Sequence, residues 1–479
     1  MQASNAKPTI ILATSNGIGM GHLARATAIG VALQDRANPI IISMASAIAQ
    51  IPEATGIPAE YITGRDRGLM PRYKWDKYLK DRILALVEET GATILTFDGV
   101  VPYPGILAAK MAKPELTLIW IRRGLWQKKP QRFVLGAQSK IMDYVIEPGD
   151  YARAYDKGPT SKRKESKLVS PVSLFKESSA LNKKAAKEKL GLDVNRPAVL
   201  VQLGTGDADV NEKMRAALSG LIGWKDLQVV LTKEPKDKNG NSLAPAGLDL
   251  KAVRYFPLAD LLHAFEAGIC AAGYNGVHEL LAAGLPTVLV ANIRGTDDQE
   301  TRARWCADNN VALMADQSNL TDIENTVKKL QIESVRKSLS ESCAKLPATT
   351  GAAEIADFLL TLSKPLAATR ILRSIRYGGF SIFEVLRKSP INAIKYLIIF
   401  FLEKVGLSYR TLFPHKANTP QVTGAPIYSN SSKAEELQAF VKAPRRFEHL
   451  ISNSSPEYLQ RRHEIANRAY ELPAKGSKK

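Results

Sequence analysis

The sequence predicts an α/β protein with two domains, each built on a parallel sheet, and a basic C-terminal extension. Short apolar runs alternate with helical stretches, for example at Thr9 to Ala13, Pro39 to Ser43 and Thr93 to Phe97. Strands that alternate with helices are typical of parallel βαβ units. Such a series begins twice, on either side of the polar, basic stretch Asp156 to Lys167. With 479 residues, the chain is also longer than one ordinary domain.

The second series predicts the remaining strands and the domain boundaries. Its apolar runs are Ala198 to Leu203, Leu227 to Leu231, Ala267 to Ala272 and Thr287 to Ala291. The last helix of this series ends near Leu362. We therefore predict an N-terminal domain at 1–165, a second domain at 166–363 and an extension at 364–479.

The charge of the chain predicts an anionic partner. The net charge is +19, which suits nucleic acid, a membrane surface or a phosphorylated substrate. Aromatic residues make up only 7%, and no basic run is interleaved with aromatics as in single-strand binders. We therefore expect no nucleic acid partner.

Cysteine usage and hydropathy predict a cytoplasmic protein. The spacing of Cys270, Cys306 and Cys343 fits neither a zinc site nor a disulfide framework. A reducing compartment accounts for this most simply. The segment Met1 to Pro8 has no signal-peptide pattern, and no apolar run reaches the roughly 18 to 20 residues that span a bilayer.

A glycine-rich loop follows the first predicted strand. It reads Ser15 to His22, with glycines at Gly17, Gly19 and Gly21. Glycines let a backbone approach a ligand closely, and the N-terminus of the next helix attracts anions. His22 could accept a proton or orient a phosphate, and Arg25 lies one turn later. The alternatives are a tight turn, a packing histidine and a solvated arginine.

The stronger motif runs from Gly273 to Gln299. Gly273, Asn275 and Gly276 end an apolar strand and open a helix, where backbone N–H groups can hold a pyrophosphate. Glu279, one turn inside the helix, can accept both hydroxyls of a ribose. Asp298 and Gln299 follow the next strand, at the sheet edge where α/β proteins bind ligands.

This run resembles the donor-binding segment of nucleotide-sugar glycosyltransferases with the GT-B fold, above all the MurG-like family 28 and its UDP-glycosyltransferase relatives. The Gly21-His22 loop resembles their Gly-Gly-His loop. The resemblance implies two Rossmann-like domains whose parallel sheets face across a cleft. It also implies that the Gly273 turn holds the diphosphate, that Glu279 holds the ribose, and that Asp298 and Gln299 hold the donor sugar.

Further residues take roles that the resemblance and their strand ends suggest. Gly204 and Thr205 follow a strand and would face the donor phosphates. Asp98 ends another strand, where it could act as a base, assist His22 or simply form a turn. Arg122 and Arg123 could bind an anionic acceptor. His278 is interpreted as helix surface or pocket edge, and Asp297 as an ordinary surface residue.

The extension 364–479 predicts attachment to a membrane surface. It contains 20 Lys and Arg residues against 8 Asp and Glu. Apolar residues at Ile391, Ile394, Leu397, Ile398, Phe401 and Leu402 fall on one helical face. A basic amphipathic helix can lie in an anionic membrane surface, although it could also pack on the protein's own domains.

Together these features predict transfer of a sugar from a UDP-sugar to a glycan or lipid-linked acceptor, at the inner face of the cell membrane. His22 or Asp98 would deprotonate the acceptor hydroxyl. We expect no cofactor and no metal ion, because no Asp-x-Asp motif is present and helix N-termini can neutralise the leaving diphosphate. The alternatives are a UDP-sugar hydrolase or epimerase on this scaffold, or a non-catalytic subunit of glycan assembly.

Overall fold

The computed structural model describes residues 7–15, 20–62, 64, 72–127, 135, 139–204, 208–232, 242–253, 255–292 and 296–362. Two parallel sheets organise them, of seven and six strands. The strands are β1 Thr9–Thr14, β2 Asn38–Ser43, β3 Ala59–Tyr61, β4 Ile94–Asp98, β5 Thr117–Ile121, β6 Tyr144–Pro148, β7 Ser166–Val169, β8 Ala198–Gln202, β9 Gln228–Leu231, β10 Asp249–Ala252, β11 Ala267–Ala271, β12 Thr287–Val290 and β13 Leu313–Ala315.

Helices cover the sheets. The α-helices are α1 Gly21–Leu33, α2 Gln50–Thr55, α3 Arg72–Thr90, α4 Pro104–Ala112, α5 Lys183–Leu190, α6 Ala208–Ser219, α7 Tyr274–Ala282, α8 Gln299–Asp308, α9 Leu320–Lys328, α10 Glu333–Cys343 and α11 Gly351–Thr361. Short 3₁₀ helices lie at Ser46–Ala49, Tyr151–Tyr155, Leu258–Ala264 and Lys329–Gln331.

The central strands are apolar runs because both of their faces are covered. Ile10, Ile11 and Leu12 of β1 are all fully buried, and they divide between the two hydrophobic clusters on opposite faces of the first sheet. Parallel strands buried on both faces read as continuous hydrophobic runs rather than alternating ones. This is why β1 and β8 are recognisable from the sequence.

Both sheets reverse their strand order at the same place. The order is β3-β2-β1-β4-β5-β6-β7 in the first sheet and β10-β9-β8-β11-β12-β13 in the second. The reversals fall between β1 and β4 and between β8 and β11. In open parallel sheets ligands bind in the crevice at the carboxyl ends of the strands flanking such a reversal. Most of the predicted site residues lie in the loops after these four strands, at the ends of the strands or in the first two turns of the helices that follow.

The first domain extends beyond the predicted boundary at residue 165. Strand β7 pairs with β6 at the edge of the first sheet, from Val145↔Ser166 to Pro148↔Val169. The last described helix also returns to this domain, because Ile355, Ala356 and Leu359 of α11 are buried in the hydrophobic cluster that contains Ile29 of α1. The second domain therefore lies between Val169 and the start of α11.

The predicted extension lies outside the described residues, which end at residue 362. Its amphipathic helix therefore stays a prediction. Within the part of the chain that the structure describes, no helix is both long enough and apolar enough to cross a membrane.

Burial of α11 predicts that this helix stabilises the first domain. Replacing Ile355 with Ala should cost about 2–5 kcal/mol of unfolding free energy, as for other fully buried aliphatic side chains. Asp357→Ala is the control on the same helix, because its ion pair with Arg36 is exposed and should contribute about 1 kcal/mol or less. The loss of unfolding free energy in each variant is measured by urea unfolding, with hydrogen exchange of the first-domain strands as the probe. Equal losses in the two variants would contradict this role.

Candidate active site

His22 and Asp98 meet at the reversal of the first sheet. Asp98 is the last residue of β4, and His22 lies in the first turn of α1, which follows the loop after β1. Register places Asp98 opposite Thr14 at the end of β1. The His22 Nδ1 and Asp98 Oδ1 atoms are 2.6 Å apart. Two residues separated by 76 positions therefore form one buried pair.

The pair is arranged for proton transfer through the outer nitrogen of the imidazole. Burial opposes ionisation of Asp98, but Arg25 and His22 outweigh it and hold the pKa of Asp98 below its usual value. An ionised carboxylate only accepts hydrogen bonds, so we assign the Nδ1–H of His22 as the donor. Burial lowers the pKa of His22, despite the opposing effect of Asp98. A neutral imidazole of this tautomer presents a free lone pair on Nε2.

Asp98 itself is not in a position to contact an acceptor. Its side chain is 1% exposed, whereas that of His22 is 17% exposed. Both Asp98 oxygens accept hydrogen bonds from Arg25, from Nε at 2.9 Å and from Nη2 at 2.6 Å. Of the roles predicted for Asp98, the geometry fits assistance of His22 and does not fit a base acting on a substrate.

Arg25 also contacts the second domain. Its Nη1 donates to Asn275 Oδ1 at 3.3 Å, and Asn275 Nδ2 donates to the Gly21 carbonyl oxygen at 2.8 Å. The guanidinium lies 5.1 Å from the centre of the Tyr274 ring. A solvated arginine is thereby excluded. Arg25 joins the His22–Asp98 pair to the turn at which the predicted donor site begins.

The Gly273 turn opens α7 at the reversal of the second sheet. Gly273 precedes the helix in an extended conformation, and no side-chain cap satisfies the backbone N–H groups of the first turn. Gly276 packs its backbone against β11, because a Cβ there would lie 2.8 Å from the Cys270 sulfur. The turn is shaped for an anion at a helix N-terminus.

Glu279 lies one helical turn further along α7. Burial, together with nearby Asp260, raises its pKa to about 8 against the opposing hydrogen bond from the Leu174 backbone. The folded protein therefore keeps this carboxyl protonated between its ordinary pKa of 4.5 and about 8. Its contribution to folding stability is present at low pH and is lost as the pH rises through 8.

Asp298 and Gln299 lie at the start of α8, beyond the end of β12. Asp298 caps this helix: its Oδ1 accepts from the Thr301 N–H at 3.1 Å and its Oδ2 from the Thr301 hydroxyl at 2.8 Å. The Gln299 Oε1 accepts from the Asn292 N–H at 2.9 Å. Both side chains are thus held by backbone and helix-start contacts, and their role toward a sugar stays a prediction.

The remaining loop residues are only partly described. Gly204 follows β8 with a φ of +95°, a conformation that favours glycine. Its neighbour Leu203 accepts a hydrogen bond from Asn292 Nδ2 at 3.0 Å, which ties this loop to the one after β12. Gly17, Gly19 and Thr205 lie outside the described residues.

Three sequence interpretations are corrected by burial. Arg122 was expected to bind an acceptor, but its side chain is fully buried and pairs with Glu165 at 2.7 Å. His278 was expected at the helix surface or pocket edge, but it is fully buried and its Nδ1 is 2.6 Å from the Tyr274 carbonyl oxygen. Asp297 was expected to be an ordinary surface residue, but it is 8% exposed and belongs to an ion-pair network.

This network joins the two domains beside the predicted sugar site. Asp297 pairs with Arg123 of the first domain and, at 2.9 Å, with Arg302 of α8. Burial opposes ionisation of Asp297, but the two arginines hold its pKa at about 2. Arg302 also pairs with Asp150 at 2.9 Å. The sequence suggested that Arg123 could bind an anionic acceptor. In the structure its guanidinium is instead engaged by the Asp297 carboxylate.

Backbone pairing reinforces the same contact. Trp126 and Asp297 form an isolated antiparallel bridge. The Asp298 N–H donates to the Leu125 carbonyl oxygen at 3.0 Å, and the Gln127 N–H donates to the Thr296 carbonyl oxygen at 2.9 Å. Leu125 adopts a φ of +54°, which is unusual for a leucine. The two domains thus contact each other directly next to Asp298.

Sequence reasoning missed Tyr274, Asp150 and Arg302. Tyr274 donates to the Gly149 carbonyl oxygen at 2.8 Å and accepts from the Val172 N–H at 2.9 Å. No local pattern marks Asp150 and Arg302 as a pair, because 152 positions separate them in the chain. Tyr274 had one available signal in the sequence, because it is an aromatic residue between the glycines Gly273 and Gly276 of the predicted ligand turn.

A metal centre has no candidate here. Among the described residues no group of three or more His, Cys, Asp or Glu side chains could hold a metal ion. The expectation of metal-free chemistry stays a prediction.

Comparison with known proteins identifies relatives of the second domain. Residues 198–358 match the glycosyltransferase family 28 C-terminal domain. A UDP-N-acetylglucosamine--N-acetylmuramyl-(pentapeptide) pyrophosphoryl-undecaprenol N-acetylglucosamine transferase of Nocardioides sp. is 30% identical over 148 residues, which are 30% of this chain and 40% of the relative. The protein of the same name from Synechococcus elongatus is 28% identical over 172 residues, 35% of this chain and 48% of the relative. The chain thus spans less than half the length of these curated relatives.

The fold of both domains also has solved counterparts. The crystal structure of the glycotransferase of kitacinnamycin superposes with a TM-score of 0.51 at 16% identity, over 74% of this chain and 98% of that chain. The prediction of a GT-B fold, with two parallel-sheet α/β domains, is confirmed by this likeness and by the two sheets.

The ion-pair network predicts that two arginines of α8 contribute very different amounts to the unfolding free energy. Arg302→Ala should cost about 3–5 kcal/mol, because it leaves the Asp150 and Asp297 carboxylates buried without their partner. Arg304→Ala should cost about 1 kcal/mol or less, since its pair with Glu300 is exposed. Thermal and urea unfolding of both variants measure the difference. A loss at Arg302 no larger than that at Arg304 would refute the structural role of the network.

Proposed function

Since residues 198–358 match the glycosyltransferase family 28 C-terminal domain, we propose that this protein transfers a sugar from a UDP-sugar to an acceptor hydroxyl. One observation carries the proposal: the Arg25 guanidinium contacts His22 and Asp98 on one side and Asn275 of the second-domain turn on the other. A base and an anion-binding helix N-terminus thus face each other across the two domains.

In the proposed reaction the Nε2 of His22 accepts the proton of the acceptor hydroxyl. The hydroxyl oxygen then forms a bond to the anomeric carbon of the donor, while the bond from that carbon to the diphosphate oxygen breaks. Asp98 stabilises the imidazolium, because it remains ionised beside Nδ1. The first turn of α7 stabilises the negative charge of the departing diphosphate.

The donor residues are assigned by position on the same scaffold. We assign the diphosphate to Gly273, Asn275 and Gly276, the ribose to Glu279, and the sugar to Asp298 and Gln299. Gly204, in the loop after β8, and Gly21, the first residue of α1, would border the same crevice. No metal ion and no cofactor are part of this proposal.

For the acceptor we propose a lipid-linked glycan, with the protein at the inner face of the cell membrane. The names of the two relatives include a pyrophosphoryl-undecaprenol acceptor. The net charge of +19 supports an anionic surface as partner. The extension 364–479 would contact that surface. Binding of the full chain to vesicles with and without anionic lipid, at low and high salt, tests this part independently of catalysis.

Donor binding should depend on Glu279 and on pH. Accepting two ribose hydroxyls favours the ionised carboxylate, whereas the unliganded group has a pKa of about 8. UDP affinity should therefore rise as the pH increases from 7 to 9, and binding should release a proton below pH 8. Calorimetric titration in buffers of different ionisation enthalpy measures both quantities.

Two variants of Glu279 sharpen this test. Glu279→Ala should weaken UDP binding by about 1–3 kcal/mol, the cost of losing a charged hydrogen-bond partner. Glu279→Gln should bind UDP with an affinity that no longer changes with pH in this range. If UDP does not bind the unmodified protein, or Glu279→Ala makes no difference, the donor assignment fails.

His22 should be required for transfer and not for donor binding. His22→Gln should lower kcat by about 10²- to 10⁴-fold, the usual contribution of a general base, with UDP affinity within about threefold. In the unmodified protein kcat should fall on the acid side through a pKa below 6.5, because burial lowers the pKa of His22. Single-turnover transfer assays across pH measure this. Undiminished transfer by His22→Gln would exclude His22 as the base.

A further inference from the structure

Asn275 lies in the assigned donor turn and also makes hydrogen bonds to the first domain. It belongs to the turn to which the proposed function assigns the donor diphosphate, and its amide is already engaged with the first domain. Its Oδ1 accepts from Arg25 at 3.3 Å and its Nδ2 donates to the Gly21 carbonyl oxygen at 2.8 Å. These contacts span 250 and 254 positions in the chain. An anion that binds the turn must share or displace them.

Arg25 transmits any such change to His22. Its guanidinium group has two partners: Nε and Nη2 donate to the two oxygens of Asp98, and Nη1 donates to Asn275. The Nη2 atom also lies 2.9 Å from His22 Nδ1. Because the guanidinium is planar and rigid, a movement of Nη1 tilts the whole group against Asp98 and the imidazole.

We propose that Asn275 is a positioning residue that couples occupancy of the donor turn to the His22–Asp98 pair through Arg25. This inference rests on the proposed function for the identity of the ligand, a nucleoside diphosphate. In the unliganded protein Asn275 holds Arg25 against Asp98. When the diphosphate engages the turn, the Asn275 contact is released and Arg25 turns toward the anion.

The coupling has a definite sign. The charged groups that act on His22 are Asp98, Arg25 and Arg123. Arg25 disfavours the imidazolium by its own charge and by neutralising Asp98. Release of Arg25 therefore makes His22 a stronger base when the donor is present. By linkage, protonation of His22 and diphosphate binding must favour each other.

The experiment compares Asn275→Leu with the unmodified full chain. Leu is close to Asn in size and cannot accept from Arg25 or donate to Gly21. The titration of His22 is followed by NMR of ¹³C-labelled histidine in deuterated protein, with the signal assigned from His22→Gln, before and after addition of UDP. Asn309→Leu serves as the control, because Asn309 is an exposed asparagine whose Nδ2 donates to the Trp305 carbonyl oxygen, outside the site.

In the unmodified protein UDP should raise the pKa of His22 by about 0.7, which is about fivefold coupling. In Asn275→Leu the pKa should already be raised by most of this amount without ligand, and UDP should add little. Asn309→Leu should behave as the unmodified protein does.

Two results would overturn the inference. One is an unchanged His22 pKa in free Asn275→Leu. The other is a full UDP-dependent rise in that variant, which would show that the diphosphate acts through space without the Asn275 contact. If the unmodified protein does not bind UDP, the proposed function fails, yet the comparison of the two free proteins still decides whether Asn275 positions His22.

Discussion

The contact on which the site depends is the packing of Tyr274 between two buried arginines. Arg25 lies 5.1 Å and Arg302 5.8 Å from the centre of its ring. Its hydroxyl donates to the Gly149 carbonyl oxygen of the first domain and accepts from the Val172 N–H, just after β7. An aromatic face stabilises desolvated cations, and a buried hydroxyl must be satisfied. Tyr274 is the first residue of α7, so these contacts fix the start of that helix against the first domain and the residues that follow β7.

The charges around Tyr274 are balanced. Arg25, Arg123 and Arg302 are paired with Asp98, Asp297 and Asp150. Isolated charges this deeply buried would be too costly, and pairing in a low-dielectric interior offsets that cost. In the described site these arginine charges are therefore offset by carboxylates. In the proposed function the backbone N–H groups at the start of α7 bind the diphosphate first, while the arginines hold the domains together and orient the His22–Asp98 pair.

Some site residues could be predicted because their signals are local. The glycines around Gly273 and the helix that follows can be read directly, as can the carboxylate of Glu279 one turn later. Others could not. His278 was interpreted as a surface or pocket-edge residue because helix periodicity does not show what covers that face of α7. In the structure Tyr151, just after β6, covers it, with its ring 5.1 Å from that of His278. The burial of Arg122 could not be read from the sequence either, because Glu147 on the neighbouring strand β6 and Glu165, just before β7, meet it only in the folded protein.

The sequence by itself determined the two series of parallel strands, because strands buried on both faces must be continuously apolar and the turns between them need glycine and polar residues. It also determined which loops end at the sheet edges, since chain order and strand direction fix this. Only the tertiary structure decided that α11 completes the first domain and that Asp98 lies behind His22 rather than in front of it. The same holds for the contact of Arg25 with Asn275. These pairings join positions up to about 250 residues apart, and contacts between distant segments depend on how sheets and domains pack, which no local pattern encodes.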